Sequence, residues 1–131
     1  MKLLLDTHIL LWSLLDQANL TRTVAVELED PLNELWLSPI TTWEVILLVE
    51  KGRVVLKTDP VTWLRNVYGK IPFKEAPINY EVAVQSRKID LQHQDPADRF
   101  LAATALVYGL TLVTADARMF RSKSITILAN K

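Results

Sequence analysis

Short apolar runs of strand length alternate with segments of helical pattern along the whole chain. This alternation predicts an α/β fold in which helices flank a central, mostly parallel β-sheet. The predicted strands are residues 2–5, 34–38, 74–77 (a short strand or an extended link), 110–116 and 124–128. The predicted helices are residues 9–15, 21–30, 42–51, 60–68, 80–87 and 96–108, with a further short helix around residues 117–120.

Composition is that of one small domain without covalent cross-links. The chain has 131 residues, half of them hydrophobic, and residues 1–131 are predicted to form a single domain. The absence of cysteine excludes a disulfide scaffold, a thiol nucleophile and thiolate ligation of zinc. The formal net charge is zero, so charge alone neither indicates nor excludes nucleic-acid binding. No apolar run is long enough to span a membrane, and we expect a soluble, cytoplasmic protein without a membrane partner.

Four acidic residues occupy related positions at predicted strand ends and helix starts. Asp6 ends the first strand, and Asp116 follows the strand "LTLVT". Glu44 and Asp98 fall in the first turns of predicted helices. Because the carboxyl ends of parallel strands form the crevice where ligands bind, we expect all four carboxylates to gather at one edge of the sheet.

Three of these acids also have an explanation that involves no chemistry. Glu44 completes a capping box, "TTWE", in which Thr41 is the N-cap. Asp98 favours the dipole of the helix "PADRFLAATALVY", and Asp116 does the same for a short helix behind a Thr114 cap. For any one of these acids taken alone, the capping explanation is as good as a catalytic one.

Asp6 is harder to explain as a structural residue. It lies between the apolar runs "LLL" and "ILLW", where a carboxylate is costly unless it is paired, hydrogen-bonded or bound to a metal, and Thr7 already serves as the predicted N-cap. Four carboxylates in one partly buried cleft also repel each other, and a divalent cation removes that conflict. Mg²⁺ and Mn²⁺ prefer oxygen ligands, so the sequence predicts a magnesium or manganese site.

Four stretches of the sequence together resemble a known family. "LLLDTHILLW", "LSPITTWEV", "DPADRFLAATAL" and "LTLVTAD" occur in the order typical of PIN domains, and they most resemble the VapC ribonuclease toxins of bacterial type II toxin–antitoxin systems. The resemblance covers essentially the whole chain. It implies a PIN-like fold of three layers, in which helices flank a central, mostly parallel sheet.

The resemblance also implies a metal-dependent ribonuclease whose acids surround one or two Mg²⁺ or Mn²⁺ ions. Asp6 and Asp98 would be the main direct ligands, and Asp116 would bind a second ion or act through water. Glu44 would orient the attacking water or act as a general base. We expect the helix N-termini beside Glu44 and Asp98 to keep these carboxylates ionised.

The segment "DPAD" leaves one assignment open, because both Asp95 and Asp98 fit the family's aspartate. We favour Asp98, which shares a helix face with Leu101, Ala102 and Ala105. The mostly small side chains of that face allow it to approach the sheet closely. Asp95 would stand outside the site as the helix cap.

Further residues near the acids are candidates for supporting roles. Thr7 and Thr114 are positioned in sequence to hydrogen-bond the ligands or the phosphate. His8 and His93 receive no role. Candidate contacts to RNA phosphates, each also explained as an ordinary solvated charge, are Arg99, Arg118, Arg121 and Lys123.

Partners follow from the resemblance as well. It implies cleavage of transfer or ribosomal RNA in exposed loops, a cognate antitoxin that covers the site, and a homodimer. Two alternatives remain. A phosphohydrolase of the haloacid-dehalogenase type needs D-x-D-x-T after the first strand, whereas Asp6 is followed by Thr7 and His8 with no second aspartate. A non-catalytic binding module would use its acids only to cap helices.

Overall fold

A five-stranded sheet runs through the centre of the molecule, and all of its strands are parallel. The structure is a computed structural model that describes residues 1–131. The predicted α/β class with a mostly parallel sheet is confirmed. In the spatial order β3-β2-β1-β4-β5, the strands are β1 (Lys2–Leu5), β2 (Glu34–Leu37), β3 (Lys74–Glu75), β4 (Thr111–Thr114) and β5 (Thr126–Ala129).

Six α-helices connect the strands, and none of them is long and apolar enough to cross a membrane. Two single 3₁₀ turns, Gln17–Asn19 and Met119–Arg121, complete the structure, and the second replaces the short helix predicted around residues 117–120. The helices are α1 (Thr7–Leu15), α2 (Arg22–Glu29), α3 (Pro39–Glu50), α4 (Pro60–Lys70), α5 (Tyr80–Lys88) and α6 (Pro96–Tyr108).

Helices cover both faces of the sheet, which makes three layers. Successive side chains of a strand point to opposite faces. Leu3 and Leu5 of β1 accordingly belong to one buried cluster, which also contains residues of α1, α2, α3 and α4. Leu4 belongs to a second cluster, in which Leu101 and Ala102 of α6 pack against the other face. Strand β1 is therefore buried on both sides, which explains its uninterrupted run of leucines.

The start of α1 differs from the prediction in a way that matters for the site. Thr7 is the first helical residue and not the N-cap. The N-cap is Asp6, whose Oδ1 accepts a 2.6 Å hydrogen bond from the backbone amide of Thr7. One carboxylate oxygen of Asp6 is therefore committed to the helix, and the side chain of Thr7 is free for another contact.

Helix α3 begins three residues earlier than predicted, and the capping box was wrong. Ser38 is the N-cap, with its Oγ accepting from the amide of Ile40 at 3.1 Å, and Pro39 takes the first helical position. Proline fits that position because its backbone has no N–H to donate. Thr41 therefore lies inside the first turn, and Glu44 lies in the second turn with no capping role.

Helix α6 has the predicted ends. Asp95 is the N-cap and accepts from the amide of Ala97 at 3.0 Å, and Pro96 follows at the first position. Gly109 ends the helix at φ +65°, a left-handed conformation that glycine adopts without strain. The predicted face of Asp98, Leu101, Ala102 and Ala105 is buried against the sheet side of the domain.

Candidate active site

The site lies where the carboxyl ends of three neighbouring strands meet. Strand β1 is hydrogen-bonded to β2 on one side and to β4 on the other. The pairing with β4 continues one residue beyond β1, since the amide of Asp6 donates to the carbonyl of Val113 at 3.0 Å. The chain leaves β2 into α3, which carries Glu44, and leaves β4 towards Asp116. Strands β2 and β3 lie on one side of β1, whereas β4 and β5 lie on the other, so the order of the strands reverses between β1 and β4. The crevice at such a switch point is where open α/β sheets bind ligands.

All four predicted acids face one cavity of about 390 Å³ at this edge. Asp6 reaches it from the end of β1, Glu44 from α3, Asp98 from the first turn of α6, and Asp116 from the segment after β4. This acid cavity is lined further by His8, Trp12, Asp95, Ala115 and Arg118. The structure thus brings together carboxylates from four separate parts of the sequence.

One backbone amide and one hydroxyl donate hydrogen bonds to the carboxylate of Asp6. Its Oδ1 accepts from the amide of Thr7, and its Oδ2 accepts from Oγ1 of Thr114 at 2.7 Å. Burial raises the pKa of Asp6 above its ordinary value, the two hydrogen bonds offset part of that rise, and the nearby charge of Asp116 adds to it. The carboxylate of Asp6, which follows a run of leucines, is therefore hydrogen-bonded, but burial still disfavours its charged form.

Glu44 is fixed by the other predicted threonine. Oγ1 of Thr7, a fully buried residue, donates to Oε1 of Glu44 at 2.6 Å. Burial raises the pKa of Glu44, and the charges of Asp6 and Asp98 raise it further. The helix N-terminus that we expected beside Glu44 is not there, because the earlier start of α3 places Glu44 beyond the first turn.

Asp98 also has a raised pKa. The residue is 8% exposed, and burial raises its pKa to about 6, with the charges of Asp95 and Asp6 adding to the effect. The hydrogen bond with Nε2 of His93, at 3.0 Å to Oδ2, lowers the pKa in part. Asp98 does lie in the first turn of α6, so desolvation and neighbouring acids outweigh the helix dipole that we expected to dominate.

Asp116 behaves differently because a guanidinium lies against it. Nε and Nη2 of Arg118 contact both carboxylate oxygens, the shortest distance being 2.7 Å from Nη2 to Oδ2. Hydrogen bonds from Arg118 hold the pKa of Asp116 below its ordinary value. The same Nη2 lies 3.2 Å from Oδ2 of Asp98. Arg118 therefore bridges two of the four acids.

Arg99, predicted as an RNA contact, is a structural residue, and that prediction was wrong. It is 4% exposed, so a phosphate has no access to it. Its guanidinium donates to four backbone carbonyls at 2.7 to 3.2 Å: that of Ser86 in the last turn of α5, and those of Ile89, Leu91 and His93 in the segment between α5 and α6. Arg99 thereby fixes the path of that segment.

The other basic candidates lie beside the acid cavity. Arg118 lines both that cavity and a neighbouring one of about 250 Å³, which we call the basic cavity. The basic cavity is completed by Asp90, Leu91, Gln92, His93 and Arg121. Lys123 is exposed and lines neither cavity. Of the four basic candidates, Arg118 and Arg121 are therefore placed to meet a phosphate near the acids.

Both histidines, to which we assigned no role from sequence, are at the site. His93 bonds Asp98, and His8 lines the acid cavity with its ring centroid 5.8 Å from that of Trp12. His8 follows the strand-end Asp6 closely enough for this position to be foreseen. No sequence signal places His93, because its position depends on the carbonyl contacts of Arg99.

The donors around the acid cavity fit a hard divalent cation in chemical type. They are carboxylate oxygens, the ligands that Mg²⁺ and Mn²⁺ prefer. Burial is the main cause of the raised pKa values of Asp6, Glu44 and Asp98, and the charges of neighbouring acids add a repulsion that a cation relieves. As the side chains stand, no three histidine, aspartate or glutamate residues are arranged to hold a metal ion. Asp98 and Asp116 instead share the guanidinium of Arg118.

Comparison with known proteins agrees with this geometry. A family model described as PIN domain matches residues 3–124. A curated relative, ribonuclease VapC22 of Mycobacterium tuberculosis, is 29% identical over 117 residues, which amount to 88% of this chain and 88% of that protein.

Solved structures share the fold along almost the whole chain. The structure of VapBC2 from Rickettsia felis, bound to a DNA fragment from the VapBC2 promoter, matches with a TM-score of 0.74 and 16% identity over 98% of each chain. VapBC-5 from Mycobacterium tuberculosis, a member of the VapBC family of toxin-antitoxin systems, matches with a TM-score of 0.62 and 16% identity over 98% of each chain. At these identities the likeness is one of fold.

Proposed function

This chain belongs to the PIN domain family, and from that premise we propose that it is a metal-dependent endoribonuclease of the VapC type, a toxin that a cognate antitoxin neutralises. The observation that carries the proposal is the acid cavity, in which Asp6, Glu44, Asp98 and Asp116 converge from separate elements. The relative named ribonuclease VapC22 supports the reaction type. Family membership leaves the haloacid-dehalogenase alternative without support.

Three of the acids are assigned to the metal. Asp6 and Asp98 would hold a Mg²⁺ or Mn²⁺ ion, and Asp116 would take part through a second ion or a water. When bound, such an ion lowers the pKa of a water molecule and neutralises charge on the phosphodiester. The hydroxyls of Thr114 and Thr7 orient Asp6 and Glu44, as groups behind metal ligands commonly do.

Glu44 is the proposed general base. Oε1 is held by Thr7, which leaves Oε2 to accept a proton from the attacking water. Burial raises the pKa of Glu44, and a base whose pKa lies closer to neutral pH transfers protons more effectively. Cleavage then leaves a 5′ phosphate and a 3′ hydroxyl.

The substrate is proposed to be cellular RNA of the transfer or ribosomal class, cut in an exposed loop. Single-stranded loops present unstacked bases that a protein can read. Arg118 and Arg121 would contact the phosphates beside the scissile bond, because an acidic cleft alone repels RNA. A protein that cuts such RNA acts in the cytoplasm.

Protein partners complete the proposal. The VapBC-5 structure is of a member of a toxin-antitoxin family, and the R. felis structure is of VapBC2 with promoter DNA. By that likeness of fold we propose a cognate antitoxin that covers the acid cavity. We also propose a homodimer, as the family resemblance implies.

Cleavage of total cellular RNA by the purified protein tests the proposed function. We expect discrete fragments with Mg²⁺, none with EDTA, and none from the variant Asp98→Asn. Asp95→Asn is the matched control, since asparagine is as good an N-cap as aspartate and Asp95 is not assigned to the metal. Fragments that persist in EDTA, or that Asp98→Asn produces at the wild-type rate, would overturn the proposal.

A further inference from the structure

Arg118 supplies a positive charge to the acid cavity from within the chain. Its Nη2 contacts Oδ2 of Asp116 at 2.7 Å and Oδ2 of Asp98 at 3.2 Å, and its Nε contacts Oδ1 of Asp116 at 3.1 Å. A guanidinium that makes two parallel contacts to one carboxylate is among the stronger charged hydrogen-bond arrangements. Arg118 thus occupies both carboxylate oxygens of Asp116 and one of Asp98.

We propose that Arg118 is a built-in counter-ion that a divalent cation displaces from the acid cavity, and that the released guanidinium then binds an RNA phosphate in the basic cavity. The second half of this inference rests on the proposed function. The first half concerns only the cation and the chain.

Competition between Arg118 and a divalent cation follows from the contacts. Both oxygens of Asp116 and Oδ2 of Asp98 are engaged by the guanidinium. Mg²⁺ contacts its oxygen ligands at roughly 2.0–2.1 Å, so an ion on these oxygens would lie within a few ångströms of the guanidinium. Two cations that close together in one small cavity would repel each other. An ion that binds Asp116 or Oδ2 of Asp98 therefore competes with Arg118.

Release of Arg118 breaks side-chain contacts to these two acids only. Its side chain is 56% exposed, and its side-chain hydrogen bonds are all to Asp98 and Asp116. Solvent reaches the guanidinium at this exposure, so it screens the ion pairs and water can replace the lost hydrogen bonds. Asp98 keeps its hydrogen bond to His93 when the guanidinium moves, so the acid stays in place.

The basic cavity offers the released side chain a second position. Arg118 already lines it, opposite Arg121. The one acid there, Asp90, accepts from the hydroxyl of Ser122 and from the amide of Lys123, and these bonds hold its pKa below the ordinary value. Two guanidinium groups beside one satisfied carboxylate suit a phosphodiester, whose oxygens accept paired N–H bonds. Binding of the cation and binding of RNA would then strengthen each other.

Calorimetric titration of the whole protein with Mn²⁺, without RNA, tests the first half. We expect Arg118→Gln to bind Mn²⁺ about three- to tenfold more tightly than the wild type, because a competing charge is gone. Arg121→Gln removes a charge of the same kind from the basic cavity and should bind Mn²⁺ like the wild type. Equal or weaker Mn²⁺ binding by Arg118→Gln would overturn the inference.

Fluorescence anisotropy with a short single-stranded RNA tests the second half, in a Glu44→Gln background that prevents cleavage. We expect Mn²⁺ to raise RNA affinity when Arg118 is present and to raise it much less in Arg118→Gln. An equal gain with and without Arg118 would overturn the coupling. Failure of the wild type to cut RNA, with tighter Mn²⁺ binding by Arg118→Gln, would overturn the proposed function and leave the cation competition standing.

Discussion

Oγ1 of Thr114 donates a 2.7 Å hydrogen bond to Oδ2 of Asp6, and so joins the end of β4 to the end of β1 across 108 residues of sequence. The same Oγ1 accepts from the amide of Asp116 at 3.1 Å. One buried hydroxyl therefore sets the positions of two acids of the cavity.

Removal of that hydroxyl should weaken metal binding. We expect Thr114→Val to reduce Mn²⁺ affinity at pH 7 by about tenfold, because the pKa of Asp6 rises and the carboxylate loses its orientation. Calorimetric titration measures the change. Thr104→Val is the control: it is an equally buried threonine whose hydroxyl bonds only the carbonyl of Phe100. Similar losses in the two variants would contradict the assigned role of Thr114.

The hydrogen bond from Thr7 to Glu44 should affect how the rate of RNA cleavage depends on pH. This bond lowers the pKa of Glu44, so Thr7→Val should raise that pKa and leave less ionised base at a given pH. The acidic limb of the pH–rate profile for RNA cleavage should move to higher pH, and Thr7→Ser should restore it. A Thr7→Val profile that keeps its midpoint while the maximum rate falls would show that Thr7 only supports the fold.

Protons should compete with the metal near pH 6. The pKa of Asp98 is raised to about 6, and a carboxylate must be ionised to bind a cation. Mn²⁺ affinity should therefore fall by about tenfold between pH 7.5 and pH 5. Titrations across this range measure the effect, and an affinity that stays constant down to pH 5 would contradict Asp98 as a ligand.

The burial of Asp98, together with repulsion from the neighbouring acids, should be visible in thermal stability. A carboxyl whose pKa is raised on folding contributes stability that is complete below its unfolded value, near 3.8, and is lost as the pH rises through about 6. In metal-free buffer at pH 8, Asp98→Asn should melt about 2–5 °C above the wild type, and this advantage should disappear by pH 4. A lower melting temperature for Asp98→Asn at pH 8 would contradict the repulsion.

Arg99 should prove essential to the fold and irrelevant to phosphate binding. Lysine cannot reproduce the planar fork that meets four carbonyls, so Arg99→Lys should lower the melting temperature by about 5–10 °C. Arg121→Gln, at an exposed position, should change it by less than about 1 °C. Circular dichroism melts compare the two variants, and equal stability of Arg99→Lys and wild type would refute the structural role.

Sequence reasoning placed the acids well because their positions follow from topology. Strand β1 ends where its run of three leucines ends, so Asp6 had to lie at the carboxyl edge once the sheet was parallel. Asp98 was placed by the face of α6, whose cap, proline and terminal glycine are all local signals. Most element boundaries accordingly lie within about two residues of their predicted positions.

The errors arose from one overlooked local signal and from tertiary contacts that no local pattern shows. Thr41 and Ser38 are both acceptable N-caps, and Pro39 decided for the earlier one. The burial of Arg99 depends on the path of the segment that precedes α6, and no local pattern encodes that path. The raised pKa of Asp98 likewise comes from burial and from acids distant in sequence.

The central position of β1 also fixes when the cavity comes into existence during synthesis. Strand β1 is synthesised before the other four strands, but it cannot pair on both sides until β4, the fourth strand in the chain, has been made. Until β4 has emerged and paired, Asp6 has no Thr114 beside it, and Asp116 has not yet been translated. A nascent chain therefore holds only part of the acid cavity until β4 and the segment that carries Asp116 have emerged.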